Sequence, residues 1–290
     1  MNTAPTDSGS CNALEQEVLA KLNQGKLEIP MLPEVAGKVV RLTQDPDSDS
    51  ADLARLIQSD QSLAAHVMRV ANSAAYSPNA SLVSLQQAIT RLGMRTIAEI
   101  ALAASINSTL FNTPGYDSYI QYILKCSLAS GLWAKETARA CRKNVEAAFL
   151  GGLLNEIGRP LAVQLALELA AELKLSIKSE DIQNIEVSCS RAIALKVIDA
   201  WEMPEAVKNV ITYFDNYQEE HSGKLQTAIA VAGSVIAKHF YADENKEKVP
   251  NLEELKAHPA FSEINLYQDE VEQLLEREEL VKSAMEAMQQ

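Results

Sequence analysis

The feature that most constrains the fold is the spacing of apolar side chains at steps of three and four residues, which recurs along almost the whole chain. In "ADLARLIQSDQSLAAHVMRVANSA", residues 51–74, it involves Leu53, Leu56, Ile57, Leu63, Ala64, Val67, Met68 and Ala71. This period places apolar side chains on one face of an α-helix, whereas a strand alternates with a period of two. Only 11 glycines and 10 prolines interrupt the 290 residues. We therefore predict an all-α fold, a multi-helix bundle.

Helix ends are marked by local signals. Ser84 and Gln87 have the spacing of a capping box, and Asn144 precedes the helix in "NVEAAFLGGLLNEIG". The pair Gly151-Gly152 inside that helix is unfavourable by roughly 1 kcal/mol per glycine relative to alanine. We therefore predict that another helix approaches closely at this pair.

Charge narrows the range of partners. The formal net charge is −13, and residues 243–290 contribute −8 of it. Phosphate backbones and anionic lipid surfaces repel such a chain, so we expect no nucleic acid and no membrane as a general partner. No stretch reaches the about 18 uninterrupted apolar residues that suggest a membrane span.

The cysteines give no metal or disulfide pattern. They are Cys11, Cys126, Cys141 and Cys189, far apart and without a C-x-x-C pair. Reduced thiols in a cytoplasmic protein are the simplest interpretation. A nucleophilic Cys126 would need a basic neighbour, and its helix offers only Lys125 at the preceding position, so we interpret Cys126 as an inert thiol.

The stretch "GGLLNEIGRP", residues 151–160, ends an apolar helix on the polar doublet Asn155-Glu156. It is not a phosphate-binding loop, because no strand precedes it. The chain also lacks G-x-S-x-G and H-E-x-x-H motifs, and its histidines, His66, His221, His239 and His258, share no helix face. Metal sites draw several converging His, Asp or Glu ligands. We therefore expect no metal and no cofactor, and we interpret His66 as a structural histidine.

Several motifs in residues 29–97 together resemble the HDOD family of bacterial signalling domains. They are L-P at 32–33 with D-P-D at 45–47, L-x-x-x-I-x-x-D-x-x-L at 53–63, A-N-S at 71–73 and A-I-x-x-L-G at 88–93. The resemblance continues through "FLGGLLNEIG" and "AWEMPEAV", over roughly residues 25–220. It implies the helical core shared with the HD and HD-GYP phosphohydrolases.

In the catalytic relatives, histidines and a His-Asp doublet hold metals that activate water for attack on phosphorus. Alignment with those motifs places the ligand positions on Cys126, on Asn155 and Glu156, on Ser190, and on Phe214 and Asp215. None of them is a histidine. A thiol, an amide, a hydroxyl and a carboxylate make a poor site for a hard metal. The resemblance thus implies a vestigial pocket.

Two functions follow from this comparison. The first is a non-catalytic signal-transduction module that binds a signalling protein or a small nucleotide-like ligand, either as a monomer or as a homodimer. The alternative is a divergent metal-dependent phosphohydrolase with a carboxylate site made of Glu156, Asp215 and Asp199. The family signature also includes Asn72, Ser73 and Tyr76, which we interpret as an architectural joint, because Asn and Ser at a helix end usually cap and turn the chain.

Four segments are predicted. Residues 1–12 form a flexible tail, 13–112 the N-terminal helical part, 113–220 the HD-like core, and 221–290 an acidic helical extension. That extension should pack on the core, because its apolar residues need cover; they are Leu255, Ile264, Leu266, Val271, Leu274 and Leu275.

Overall fold

The computed structural model describes residues 8–45, 47–77, 81–243 and 248–289, without the side chains of residues 8–13, 44 and 108. These residues contain helices and no strand, so the all-α prediction is confirmed. The helices are α1 (Ser8–Asn23), α2 (Glu34–Gln44), α3 (Ser50–Gln58), α4 (Gln61–Ala71), α5 (Leu85–Leu92), α6 (Met94–Ser105), α7 (Asp117–Ala140), α8 (Val145–Leu154), α9 (Gly158–Leu173), α10 (Ser179–Ala200), α11 (Glu205–Tyr213), α12 (Lys224–Tyr241), α13 (Leu252–Lys256), α14 (Pro259–Glu263), α15 (Gln268–Leu275) and α16 (Glu278–Gln289).

The helix caps largely follow the sequence signals. Asn144 accepts a hydrogen bond from the backbone N–H of Ala147 at 3.1 Å, and Ser84 accepts one from the N–H of Gln87 at 3.2 Å. The predicted capping box is incomplete in one respect. The side chain of Gln87 accepts from the N–H of Val83 at 3.0 Å, one residue before the cap, so it holds the entering chain rather than the cap residue.

The centre of the molecule is α7, which packs against α8 on one side and α12 on another. The predicted close approach at Gly151-Gly152 is confirmed. A Cβ on Gly152 would lie 2.6 Å from the carbonyl oxygen of Ser130 on α7, and a Cβ on Gly151 would lie 2.8 Å from Val210 on α11. Only a residue without a side chain lets these helices meet at this distance.

The N-terminal helices form a second layer, in which α2 and α4 pack against α6. A hydrogen bond connects this layer to the end of α10. Trp201 Nε1 donates to the carbonyl oxygen of Pro30, which precedes α2, at 2.9 Å. Two motifs that are 171 residues apart therefore meet in the fold.

Two helices lie close to the predicted segment boundaries. Residues 1–7 of the predicted tail lie outside the described residues, and α1 already begins at Ser8. Backbone hydrogen bonds can extend a helix beyond the start of its apolar stripe, which explains the difference. Helix α12, which begins within the predicted extension, packs against α7 and α8. It is apolar around much of its circumference, as buried helices are, and Ile229 and Ile236 are fully buried.

The C-terminal helices cover the remaining apolar surface. Leu255 and Val271 are fully buried, and α16 packs against α4, α6 and α7. Between α15 and α16, Arg277 forms an ion pair with Glu136 on α7. Among the described helices, none combines the length and apolar character that crossing a membrane requires.

Candidate functional site

The polar doublet lies at the carboxyl end of α8, where it faces α7. Asn155 is 3% exposed, and its Nδ2 donates to the carbonyl oxygen of Gly152 at 2.5 Å and to Ser130 Oγ at 3.3 Å. Its Oδ1 has no hydrogen-bond partner among the described residues. Asn155 therefore joins α8 to α7 by a buried hydrogen bond.

Glu156 points toward an arginine on the next helix. Arg159 Nη1 lies 3.0 Å from a carboxylate oxygen of Glu156, and Arg159 Nε lies 3.2 Å from Glu186 on α10. The same guanidinium donates from Nη2 to Tyr119 Oη on α7 at 2.8 Å, and Tyr119 donates to Glu186, also at 2.8 Å. Arg159 on α9 thus links Tyr119 on α7, Glu186 on α10 and Glu156 in the turn between α8 and α9.

The electrostatics of this group are those of a partly buried ion-pair network. Burial raises the pKa of the Glu186 carboxyl, and Arg159 and Tyr119 only partly oppose that shift. Burial also raises the pKa of Tyr119, to about 12. For Arg159, burial acts against the charge, but Glu156, Tyr119 and Glu186 more than compensate, so its pKa lies above its usual range. The guanidinium therefore stays charged at every physiological pH.

A second arginine holds the other predicted positions. Arg191 on α10 makes two hydrogen bonds to the carboxylate of Asp215, at 2.9 and 3.0 Å, and donates to the backbone carbonyl of Asn155 at 3.0 Å. Its guanidinium carbon lies 5.0 Å from the ring centroid of Phe214. Such two-pronged contact with a carboxylate is the geometry that arginine favours. We call Tyr119, Glu156, Arg159, Glu186, Arg191 and Asp215 the arginine cluster.

The last two predicted pocket residues are placed differently. The backbone of Ser190 lies against the start of α9, because a Cβ on Gly158 would come within 1.9 Å of the Ser190 carbonyl oxygen. Cys126 is not brought to the doublet. Its Sγ lies 3.8 Å from the carbonyl oxygen of Tyr241 at the end of α12, and the α7 residue that contacts Asn155 is Ser130, one turn further on.

The carboxylates of the alternative hypothesis do not form one site. Glu156 pairs with Arg159, Asp215 pairs with Arg191, and Asp199 lies 2.6 Å from Lys208 at the far end of α10. Within the described part of the chain, no group of three or more His, Cys, Asp or Glu side chains is arranged to hold a metal ion. The residues present therefore do not fit the metal centre that the HD-type relatives imply.

The signature residues Asn72, Ser73 and Tyr76 lie at the turn after α4. Asn72 donates to the carbonyl oxygens of Met68 and Leu82, each at 3.0 Å, and accepts from the N–H of Leu82 at 2.6 Å. Ser73 accepts backbone hydrogen bonds at its carbonyl oxygen. Tyr76 is partly buried against the core, and burial raises the pKa of its phenol. These contacts fasten the chain between α4 and α5.

Sequence reasoning missed both arginines and a buried ion pair. Arg159 follows Glu156 at the three-residue spacing of a helical ion pair, which was a usable signal. Glu99 on α6 and Lys135 on α7 form an ion pair with both side chains about 5% exposed or less, and Lys135 lies 5.7 Å from the ring of Phe149. A charged residue inside an otherwise apolar run was the signal here.

The helical bundle, with its doublet at the end of the helix beside the central one, defines a protein of the HD-like class. Within that class, the chain belongs to the HDOD domain family, which it matches over residues 29–217.

Solved structures share this fold. A protein from Shewanella amazonensis SB2B, whose name suggests a metal-dependent phosphohydrolase, is 19% identical with a TM-score of 0.72. An HDOD domain protein of unknown function from Geobacter sulfurreducens gives the same identity and TM-score, and each comparison covers 97% of this chain and 99% of the other. A protein from Marinobacter aquaeolei VT8, whose name suggests signal transduction, is 20% identical with a TM-score of 0.67, over 100% of this chain and 68% of that one.

A curated relative, an uncharacterized protein from Treponema pallidum (strain Nichols), is 22% identical over 219 residues. The match covers 72% of this chain and 42% of that protein, so the chain spans less than half the length of this relative.

Proposed function

We propose that this chain is a non-catalytic regulatory module of the HDOD family, which acts by binding a signalling protein or a small ligand. The observation that carries the proposal is the arginine cluster. At the end of α8, where catalytic relatives are expected to bind metal, two guanidinium groups lie against the carboxylates of Glu156, Glu186 and Asp215.

A divalent cation would have to displace these groups. Arg159 is bonded to three partners, and its removal from Glu186 would leave a carboxylate that is 5% exposed without its cation. An ion that is buried without a partner is strongly unfavourable. Imidazole nitrogens are common ligands of transition metals, and none of the aligned positions carries a histidine.

The test is a hydrolysis assay on the purified full chain with added Mn²⁺ or Mg²⁺, using a cyclic dinucleotide and bis(p-nitrophenyl) phosphate as substrates. Elemental analysis of the same samples measures bound metal. We expect no stoichiometric metal, and the same background rate for the wild type, for Glu156→Ala and for the control Glu219→Ala. The control removes an exposed carboxylate that forms no ion pair within the described residues. Metal-dependent turnover that only Glu156→Ala abolishes would establish the phosphohydrolase alternative instead.

The small-ligand part of the proposal has its own measurement. A thermal-shift screen with mononucleotides and cyclic dinucleotides should raise the melting temperature if one of them binds the folded state, because a ligand stabilises the state that it binds. A partner protein is sought by using the full chain as bait. Single substitutions of exposed residues then identify the surface that binds the captured partner.

A further inference from the structure

A cavity of about 620 Å³ lies between the N-terminal layer and the core, bounded by α4, α6, α7, α8 and α16. It shares no lining residue with the arginine cluster. Its size falls within the range of about 300–1,000 Å³ that is typical of small-molecule sites. Three of its polar side chains have hydrogen-bonding capacity that the described residues leave unused.

The first is His66 on α4. Arg69 Nη2 lies 2.7 Å from His66 Nδ1, and a guanidinium can only donate, so Nδ1 accepts and the ring proton is on Nε2. Burial and the charge of Arg69 lower the pKa of this imidazole, which keeps it neutral. The buried Nε2 finds no acceptor among the residues that the structure describes. His66 thus presents an unused N–H donor at the cavity.

The second is Ser127 on α7, which is 3% exposed and lines the cavity. A buried helical serine ordinarily bonds back to the carbonyl four residues earlier, as Ser105 does to Ala101 at 2.8 Å. The hydroxyl of Ser127 makes no hydrogen bond within the described residues. Buried polar atoms without partners are rare, and a bound water or ion is one accepted explanation for them.

The third is Lys125 on α7, which lines the cavity. Its ammonium group lies 5.8 Å from the centroid of the Tyr241 ring and forms no ion pair with a carboxylate of the described residues. None of the described residues that line the cavity is acidic. In a chain of net charge −13, a cavity whose single charged group is a cation is a local exception.

We infer that this cavity, which we call the His66 cavity, binds a small anionic amphiphile whose head group carries acceptor oxygens, such as a carboxylate or a phosphate monoester. The head group would accept hydrogen bonds from His66, Ser127 and Lys125, and the apolar body would contact the remaining walls, which include Ala103, Ala104, Leu124, Leu128, Leu153 and Met288. The inference rests on the proposed binding function and names a site and a ligand class for it.

The test uses anilinonaphthalene sulfonate, an anionic amphiphile, and the uncharged phenylnaphthylamine, which has the same ring system without the sulfonate. Fluorescence titration of the full chain should show one saturable site for the anion. Lys125→Gln should weaken binding of the anion by about tenfold, the loss of one charge-assisted hydrogen bond, and leave binding of the neutral probe unchanged. Ala104→Phe, which fills the cavity, should abolish both.

Lys196→Gln is the matched control, because it removes an exposed lysine from α10, which contributes nothing to the cavity. Octanoate or octyl phosphate should displace the anionic probe, whereas octanol at the same concentration should not, and the more effective of the two acids identifies the head group. Circular dichroism checks the fold of Ala104→Phe. Lys125 is exposed, so Lys125→Gln remains informative if Ala104→Phe fails to fold.

Absence of saturable binding, an equal response to Lys196→Gln, or displacement by neither acid would overturn the inference. Such a result would leave the proposed non-catalytic function standing, because that function fails only on metal-dependent hydrolysis. The two failures are therefore measured in separate assays.

Discussion

The arginine cluster and the His66 cavity both border α7 and α8, but they use polar groups in opposite ways. In the cluster, Glu156, Glu186 and Asp215 each meet a guanidinium. In the cavity, His66 and Ser127 carry buried polar atoms for which the described residues supply no partner. A region whose charges are satisfied internally gains little from a ligand, whereas one with unused donors gains hydrogen bonds on binding. The comparison therefore directs the search for a ligand to the cavity.

The largest expected loss of stability comes from a substitution that disturbs both regions together. Gly152→Val would push a side chain into the backbone of Ser130 and Gly131, so we expect a loss of about 3 kcal/mol or more in the free energy of unfolding, measured by urea titration. The control is Gly37→Ala on α2, where the nearest atom to a new Cβ is a flexible arginine tip at 3.6 Å. A variant Gly152→Val as stable as the control would show that the helices do not meet as described.

The next largest loss of stability is expected from a substitution that disturbs the arginine cluster alone. Arg159→Ala leaves Glu186 buried without its cation, and after allowance for the partial exposure of the arginine we expect a loss of about 2 kcal/mol at pH 7. Arg95→Ala, which removes an arginine that is 74% exposed, should change stability by less than about 0.5 kcal/mol. Equal losses in the two variants would contradict the network.

The pH dependence of Arg159→Ala sharpens the same point. Burial raises the pKa of Glu186 in the folded state above that of the unfolded chain, so the folded state binds the proton more tightly. The stability that this proton confers is complete below the unfolded pKa and is lost as the pH rises through the folded one. The deficit of the variant relative to the wild type should therefore shrink as the pH falls from 7 toward about 4.5. A deficit independent of pH would assign it to packing.

A smaller effect separates the two arginines. Asp215 is 67% exposed, so its pair with Arg191 is screened, and a double-mutant cycle with Arg191→Ala and Asp215→Asn should give a coupling of about 1 kcal/mol or less. Added salt should reduce this coupling. A coupling that is larger than the whole effect of Arg159→Ala would reverse the ranking of the two pairs.

The smallest effect compares two serines on α7. Ser130 accepts a hydrogen bond from Asn155, so Ser130→Ala should destabilise the protein by about 1 kcal/mol. Ser127→Ala removes a hydroxyl with no partner in the described chain, so it should change stability by less than about 0.5 kcal/mol. Thermal unfolding of the two variants side by side measures the difference, and equal losses would mean that Ser127 is bonded after all.

Local pattern was enough to predict the helical fold, the cap at Asn144 and the close approach at Gly152, because each depends on residues within a few positions of one another. The place of Cys126 was harder. Residues 126 and 130 share a face of α7, so helical periodicity cannot tell which of the two faces Asn155. The spacing of residues therefore cannot reveal an alignment error of one helical turn.

The partners of the polar doublet could not be read from the sequence for a different reason. Arg159 reaches Glu186 across 27 residues and Arg191 reaches Asp215 across 24, so both contacts depend on how whole helices pack. The boundary predicted at residue 220 followed the end of the family resemblance, and α12, which begins at Lys224, is apolar and lies against α7.

The contact of α16 with the N-terminal layer has a consequence for how this module can be moved between proteins. The family match ends at residue 217, yet Arg277 reaches back to Glu136, and Met288 forms part of the cavity wall. A gene segment cut at the limits of sequence similarity would encode a protein with its central helix uncovered and an exposed, aggregation-prone surface. The transplantable unit is therefore longer than the recognisable one.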